Sequence, residues 1–169
     1  PLKTPSGKIE IFSQTIDGFG YDDCPGHPVW LPPTEWLGTA TAAAPLHLVS
    51  PQPGDKLHSQ LESALADVPG ARPETLVIHP DDATRRGVQT GDLVRVFNAR
   101  GACRARASVS DAIRQGVVAL PTGAWFGDPG GNMDPHGNPN TLTRDLGTSR
   151  LGQGCSAHTT LVDVGRLES

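Results

Sequence analysis

The chain has 169 residues, with 14 basic side chains against 18 acidic ones and a formal net charge of −4. It is long enough to bury one proper core, and its mildly acidic balance gives no footprint for nucleic acid. Aromatics make up only 5% while there are 20 Gly and 16 Pro, which favours short strands joined by shaped loops over a helical bundle.

Cys24, Cys103 and Cys155 share no Cys-x-x-Cys spacing, so zinc, iron–sulfur and disulfide-framework readings are weak. No apolar run is long enough to span a membrane and no signal peptide opens the chain, which predicts neither nucleic acid nor membrane as partner. The first residue is Pro1 rather than Met, as expected of a piece of a longer polypeptide.

Residues 1–44 read as an irregular connector rather than a domain. Ile9 and Ile11 alternate with polar neighbours, which predicts a short strand over residues 4–12. Proline-punctuated stretches carrying Trp30 and Trp36 follow, then a small-residue linker over 39–44. The domain proper is expected over residues 45–169. A buried strand at 46–50 is broken by Pro51-Gln-Pro-Gly-Asp55. Leu57, Leu61 and Leu65 are spaced four apart, which predicts a helix over 56–65 with His58, Ser59 and Gln60 off its apolar stripe near the N-terminus, where free N–H groups suit an anion.

A second strand spans 75–79, and a short helix follows over 80–87, with Pro80 at its start and Gly87 as its stop. A third strand over 91–98 turns at 98–101 into an antiparallel return over 102–109, with Cys103, Ala105 and Ala107 on one side and Arg104 and Arg106 on the other. Residues 111–116 predict a helical turn ended by glycine, 117–120 a further strand and 159–164 the last. Short strands at close spacing with stubby helices between them predict a closed barrel, mainly β; pattern leaves open which barrel.

Phosphate-binding glycine loops of the Walker and Rossmann kinds are missing, and no nucleophile–base pair or carboxylate pair has a recognisable spacing. Residues 136–155 instead place amide, hydroxyl and guanidinium groups between glycines, suited to a partner rich in acceptors such as a phosphate, a ribose or a heterocycle edge. The same composition also fits an ordinary surface loop. His79 and Asp82 fit strand-end and helix-cap roles better than ligand roles.

The words His136-Gly-Asn-Pro-Asn-Thr-Leu-Thr-Arg-Asp145, Gly147-Thr-Ser-Arg-Leu-Gly-Gln-Gly-Cys155 and Thr160-Leu-Val-Asp-Val164 resemble the C-terminal signature of the molybdopterin-dependent S-oxide and N-oxide reductases, the dimethyl sulfoxide reductase family. Ser6-Gly-Lys-Ile-Glu-Ile11, Pro25-Gly-His-Pro28, His79-Pro-Asp-Asp-Ala83 and Gly87-Val-Gln-Thr-Gly-Asp-Leu-Val94 agree with it, so the resemblance covers nearly the whole chain.

The resemblance implies a six-stranded double-psi β-barrel (aspartate decarboxylase-like) that binds molybdopterin guanine dinucleotide as the last domain of a molybdenum oxidoreductase. Two such dinucleotides hold the metal in the full enzyme, whose remaining domains would be this chain's partners. It implies cofactor contacts from Ser50, Gln52, Lys56, His58, Ser59 and Gln60 in one stretch. Asn138, Asn140, Thr143 and Gln153 supply them in another. No catalytic or metal-ligating residue is implied within the chain, which would not turn over alone. Many molybdopterin enzymes carry Arg where this chain has Gln52, which removes a bidentate phosphate clamp but agrees with the sulfoxide and N-oxide branch. Members of this branch are cytoplasmic or periplasmic, and the loop wording leans to the cytoplasmic biotin sulfoxide reductases. A free-standing barrel serving as a binding module is the alternative.

Overall fold

The structure is a computed structural model that describes residues 1–61, 73–127 and 130–167. The chain clusters into two compact units, one of residues 1–33 with 145–156 and one of residues 34–144 with 157–169.

The second unit is a closed six-stranded barrel. Its strands are β1 (Leu46–Val49), β2 (Thr75–Ile78), β3 (Leu93–Phe97), β4 (Ala102–Val109), β5 (Val117–Ala119) and β6 (Thr160–Arg166). Around the barrel the order is β1-β5-β2-β4-β3-β6. Two neighbouring pairs, β1 with β5 and β2 with β4, are parallel, and the other pairs are antiparallel. Crossovers between parallel strands and hairpins within one closed sheet make the double-psi barrel that the resemblance implies.

The interior follows from the period-2 alternation. Val94 and Val96 point inward from β3, and Cys103, Ala105 and Ala107 from β4, where small side chains leave room for Leu46, Leu48, Leu76, Ile78, Val118 and Val162. Arg95, between the two inward valines, lies outside with its guanidinium 4.6 Å from the Phe97 ring centre. Cys103 is wholly buried; burial, with the Asp134 charge adding to it, pushes its thiol up to about 12. Cys155 is exposed. A thiol reagent at mildly alkaline pH is therefore expected to label Cys155 in the native protein and Cys103 only on unfolding; native labelling of Cys103, read by mass spectrometry, would contradict this packing.

The short helix α2 (Pro80–Thr84; α1 lies in the other unit) starts where His79 Nδ1 accepts from the Asp81 N–H at 3.2 Å, with Pro80 in its first turn. The buried Asp82 carboxylate accepts from the Gly116 N–H at 2.6 Å and from Arg85 at 3.2 Å, which ties the helix to the turn before β5. Glu35, outside the strands, grips Arg100 through both carboxylate oxygens (2.6 and 2.9 Å) and accepts from the Leu161 N–H. Burial pushes the Glu35 carboxyl up, but the Arg100 and Leu161 hydrogen bonds and the Arg100 and Arg144 charges outweigh it and hold it below the usual glutamate range.

The other unit has little regular structure. Its helix α1 (Gln14–Asp17) is capped by Ser13, whose side chain accepts from the Ile16 N–H. Residues 147–155 fold back on themselves, with the Thr148 N–H donating to Gly154 and Gln153 Nε2 donating to the Ser149 carbonyl at 2.7 Å.

Three sequence expectations are corrected here. Residues 4–12 form no strand: Ile9 and Ile11 are 83% and 80% exposed, because no neighbouring strand offers them a ladder and alternation alone holds nothing. Residues 56–61 are not helical. They form a tight turn with Leu57 bridged to Gln60 and left-handed backbone at His58 (φ 53) and Leu61 (φ 70). Leu57 and Leu61 stay more than half exposed, so the apolar stripe has no face to bury; residues 62–65 lie outside the described residues. Finally, 111–116 is a hydrogen-bonded turn rather than a helical one, closed by Gly116 at φ +82.

Candidate functional site

Because β1 and β5 run parallel, the segments that leave their C-terminal ends emerge on the same rim of the barrel. The pairing continues beyond the strands. The Leu120 N–H donates to the Val49 carbonyl, and the Thr122 N–H to the Pro51 carbonyl, both at 3.0 Å. Gly123, at φ +99, then passes so close to residue 58 that a Cβ on it would stand 1.9 Å from the His58 carbonyl oxygen. The Trp125 indole N–H donates to the Ser59 carbonyl at 2.8 Å. Residues 121–125 thus stitch down the strap formed by residues 50–60.

The same segment reaches a second loop. The Trp125 carbonyl accepts a hydrogen bond from His136 Nδ1 at 2.8 Å, and the His136 carbonyl accepts from the Glu74 N–H at 2.9 Å. The second loop is organised by Asp134, a carboxylate only 3% exposed. It accepts from the backbone N–H groups of Gly127 (2.7 Å), His136 (3.0 Å) and Asn138 (2.8 Å), while its own backbone pairs with Ala102 and Arg104 of β4. Asn138 in turn caps the 3-10 turn Pro139–Thr141, its side-chain oxygen accepting from the Asn140 N–H. A single buried acid therefore fixes the backbone from which Asn138, Asn140 and Thr143 project.

The sequence-predicted residues fall as follows. Ser50, just after β1, is only 5% exposed, its N–H directed at His158 Nδ1 (3.4 Å) and its hydroxyl buried with no hydrogen-bond partner among the described residues. Gln52 donates to the Lys56 carbonyl at 2.9 Å, inside the strap. The Lys56 ammonium pairs with the Glu74 carboxylate, the two side chains 5% and 15% exposed, so its charge is balanced within the protein. His58, Ser59 and Gln60 are exposed on the strap. Asn138 is buried, Asn140 exposed, and the Thr143 hydroxyl is directed at the Asn140 carbonyl (3.4 Å). These residues all lie in the barrel unit, and the bridge of residues 121–127 brings their two stretches together. Gln153 belongs to the other unit. Among the described residues, no three His, Cys, Asp or Glu side chains gather as metal ligands.

Sequence reasoning passed over Glu74, Gly123, Asp134 and His158. Asp134 stands two residues before His136 in an Asp-Pro-His-Gly run, a local cue for a carboxylate that accepts from following N–H groups. Glu74 and His158 carry no cue, since their partners are distant in the chain.

The profile described as the molydopterin dinucleotide binding domain matches residues 46–161, from the first residue of β1 into β6. The chain belongs to that family. Its relatives include the biotin sulfoxide reductase of Cereibacter sphaeroides, 52% identical over 97% of this chain and 22% of its own length. The dimethyl sulfoxide/trimethylamine N-oxide reductase of the same organism is 47% identical over 97% of this chain and 21% of its own length. Trimethylamine-N-oxide reductase 1 of Escherichia coli K12 is 48% identical over 97% and 20%. The chain spans about a fifth of the length of these relatives and matches their C-terminal part. Among solved structures, acetylene hydratase from Pelobacter acetylenicus superposes with a TM-score of 0.76 at 20% identity, over 97% of this chain and 24% of that one. That likeness shares the fold of the family member described here. Neutral amides and hydroxyls of the kind found on the rim suit a heterocycle edge or a pyrophosphate better than they suit a bare metal.

Proposed function

We propose that the barrel rim binds molybdopterin guanine dinucleotide, and that the chain serves as the C-terminal domain of a molybdenum oxidoreductase that removes oxygen from S-oxides or N-oxides. The observation that carries this reading is the convergence of residues 50–60 and 134–143 on one rim, joined by residues 121–127. The unpartnered Ser50 hydroxyl fits it: a buried hydroxyl without a partner costs roughly 1–3 kcal/mol, which a ligand oxygen or ring nitrogen offsets.

When bound, the cofactor supplies two-electron chemistry at molybdenum; the residues here bind and orient it. Ser50, Gln52, His58, Ser59, Gln60, Asn140 and Thr143 offer neutral donors and acceptors. Asn138 holds Asn140 in place, and Lys56, paired with Glu74, anchors the strap beside the cofactor. For Gln153, which lies in the other unit, a contact with the dinucleotide rests on the family resemblance alone. On the same reading residues 1–44 connect to the preceding domains of the enzyme, the partner that the exposed Ile9, Ile11 and Trp30 suit. Biotin sulfoxide or a related S-oxide is the proposed substrate and the cytoplasm the proposed location. Among the described residues no helix is long and apolar enough to cross a membrane.

In the full-length enzyme, Ser50→Ala, Ser59→Ala, Asn140→Ala and Gln153→Ala are each expected to lower molybdenum and guanine content. The affinity loss should be about fivefold per hydrogen bond worth roughly 1 kcal/mol, with the circular dichroism spectrum unchanged. Full cofactor content and unchanged rates in all four would refute the residue assignment.

A further inference from the structure

A second concave site lies at the other end of the barrel. It opens at the start of β1 and in the turn before β5, roughly 13 Å along the strand from Ser50 for a rise of about 3.3 Å per residue. The pocket has a volume of about 420 Å³ and is lined by Arg85, Arg86 and Arg114 together with Asp82, Gln115 and Gly116. That volume falls within the range of small-molecule sites, about 300–1,000 Å³.

The three guanidiniums are not equivalent. Arg86 is committed to the fold: it grips Asp163 through Nε (2.9 Å) and NH2 (2.7 Å) and donates to the Asp82 carbonyl. Arg85 donates through NH1 to Asp82 at 3.2 Å, and with the Gln115 amide turned to face it, donates to that side-chain oxygen as well; its side chain is 63% exposed. Arg114 has no hydrogen-bond or ion-pair partner for its guanidinium among the described residues. Asp82, the one carboxylate lining the pocket, spends its oxygens on Arg85 and the Gly116 N–H. The cavity therefore presents a surplus of guanidinium groups over carboxylates. Planar forks of this kind match oxyanions in a bidentate way, and an anion with two or more charged groups would span Arg85 and Arg114 together.

We infer that this pocket is an anion-binding site, distinct from the dinucleotide rim, that takes a small organic anion carrying at least two oxyanion groups. It does not depend on the dinucleotide reading, because none of its residues belongs to the rim.

The test is a calorimetric titration of the protein with citrate, with inorganic phosphate and with acetate at low salt, where exposed charges are least screened. Citrate is expected to saturate one site, phosphate to bind more weakly and acetate not to saturate. Arg114→Gln and Arg85→Gln should each weaken citrate by about tenfold or more, since a hydrogen bond to a charged group is worth roughly 1.5–3 kcal/mol. Lys3→Gln, a change of equal charge outside the pocket, should leave it unchanged. Arg114→Gln removes no contact of the fold, so its loss of binding cannot be ascribed to unfolding. Failure of millimolar citrate to saturate the wild-type protein, or wild-type affinity in both arginine variants, would overturn the site. Phosphate binding as tight as citrate would overturn its assignment to an organic anion.

Discussion

Asp134→Ala is expected to destabilise the protein by about 3–5 kcal/mol, because it removes the acceptor of three backbone N–H groups at once. Bonds from N–H groups to an ionised carboxylate are the strong kind, and at 3% exposure water does not replace them cheaply. The damage should also be directed. Gly127, His136 and Asn138 all lose their anchor, so the backbone under Asn140 and Thr143 loosens while strands β1, β2 and β5 keep their core. Asp134→Asn keeps the shape and one carbonyl acceptor, and should fall between wild type and alanine. Urea denaturation gives the magnitude. Amide exchange gives the direction, as lost protection at 134–142 ahead of the strands. A cost under 1 kcal/mol for alanine would show that Asp134 is not the organising group.

Gly123→Ala should produce the second largest effect, by a different route. The new methyl carbon would overlap the His58 carbonyl oxygen at 1.9 Å and its carbon at 2.7 Å, both backbone atoms that cannot rotate away. The left-handed φ of +99 adds strain for any residue with a side chain. A strained backbone of this kind costs about 1–3 kcal/mol before the overlap is counted. The strap must lift from residues 121–125, which breaks the Trp125–Ser59 hydrogen bond. The indole N–H resonance of Trp125 should move upfield as it loses its acceptor, while core methyl resonances of Val94, Val96 and Val118 stay in place. In the full-length enzyme the variant should lose dinucleotide content at a stability where the barrel remains folded. A wild-type indole resonance with full cofactor would show that the close approach does not hold the strap.

The two variants separate what could be read in advance from what could not. Strand alternation records burial directly. Cys103, Ala105 and Ala107 on β4 predicted their own face, and the barrel follows from several short strands in one chain. The same reasoning failed for residues 4–12 and 56–61. There an apolar period exists but no surface meets it, and periodicity describes the donor of a contact without its acceptor. The candidate residues stood out by type, through the wording of residues 136–143 and the position of Ser50 after β1. Their supports did not. Glu74 pairs with Lys56 from 18 residues away, Gly123 matters because of residue 58, and Asp134 serves a loop with no regular hydrogen-bond pattern. These are relations between positions, set by the fold and absent from any single stretch.

Strand β6 joins both β1 and β3, and this has a consequence for timing. Until residues 160–166 leave the ribosome, the sheet is an open ribbon with β1 and β3 as unpaired edges, and an edge of that kind is prone to wrong pairing. Ser50 and the strap after β1 are made roughly a hundred residues before their frame is closed, so the rim reaches its final geometry only once β6 has been made. A nascent chain arrested short of residue 160 should therefore remain protease-sensitive throughout the barrel. On the proposed reading, the cofactor meets a finished rim only after that one strand has closed the barrel.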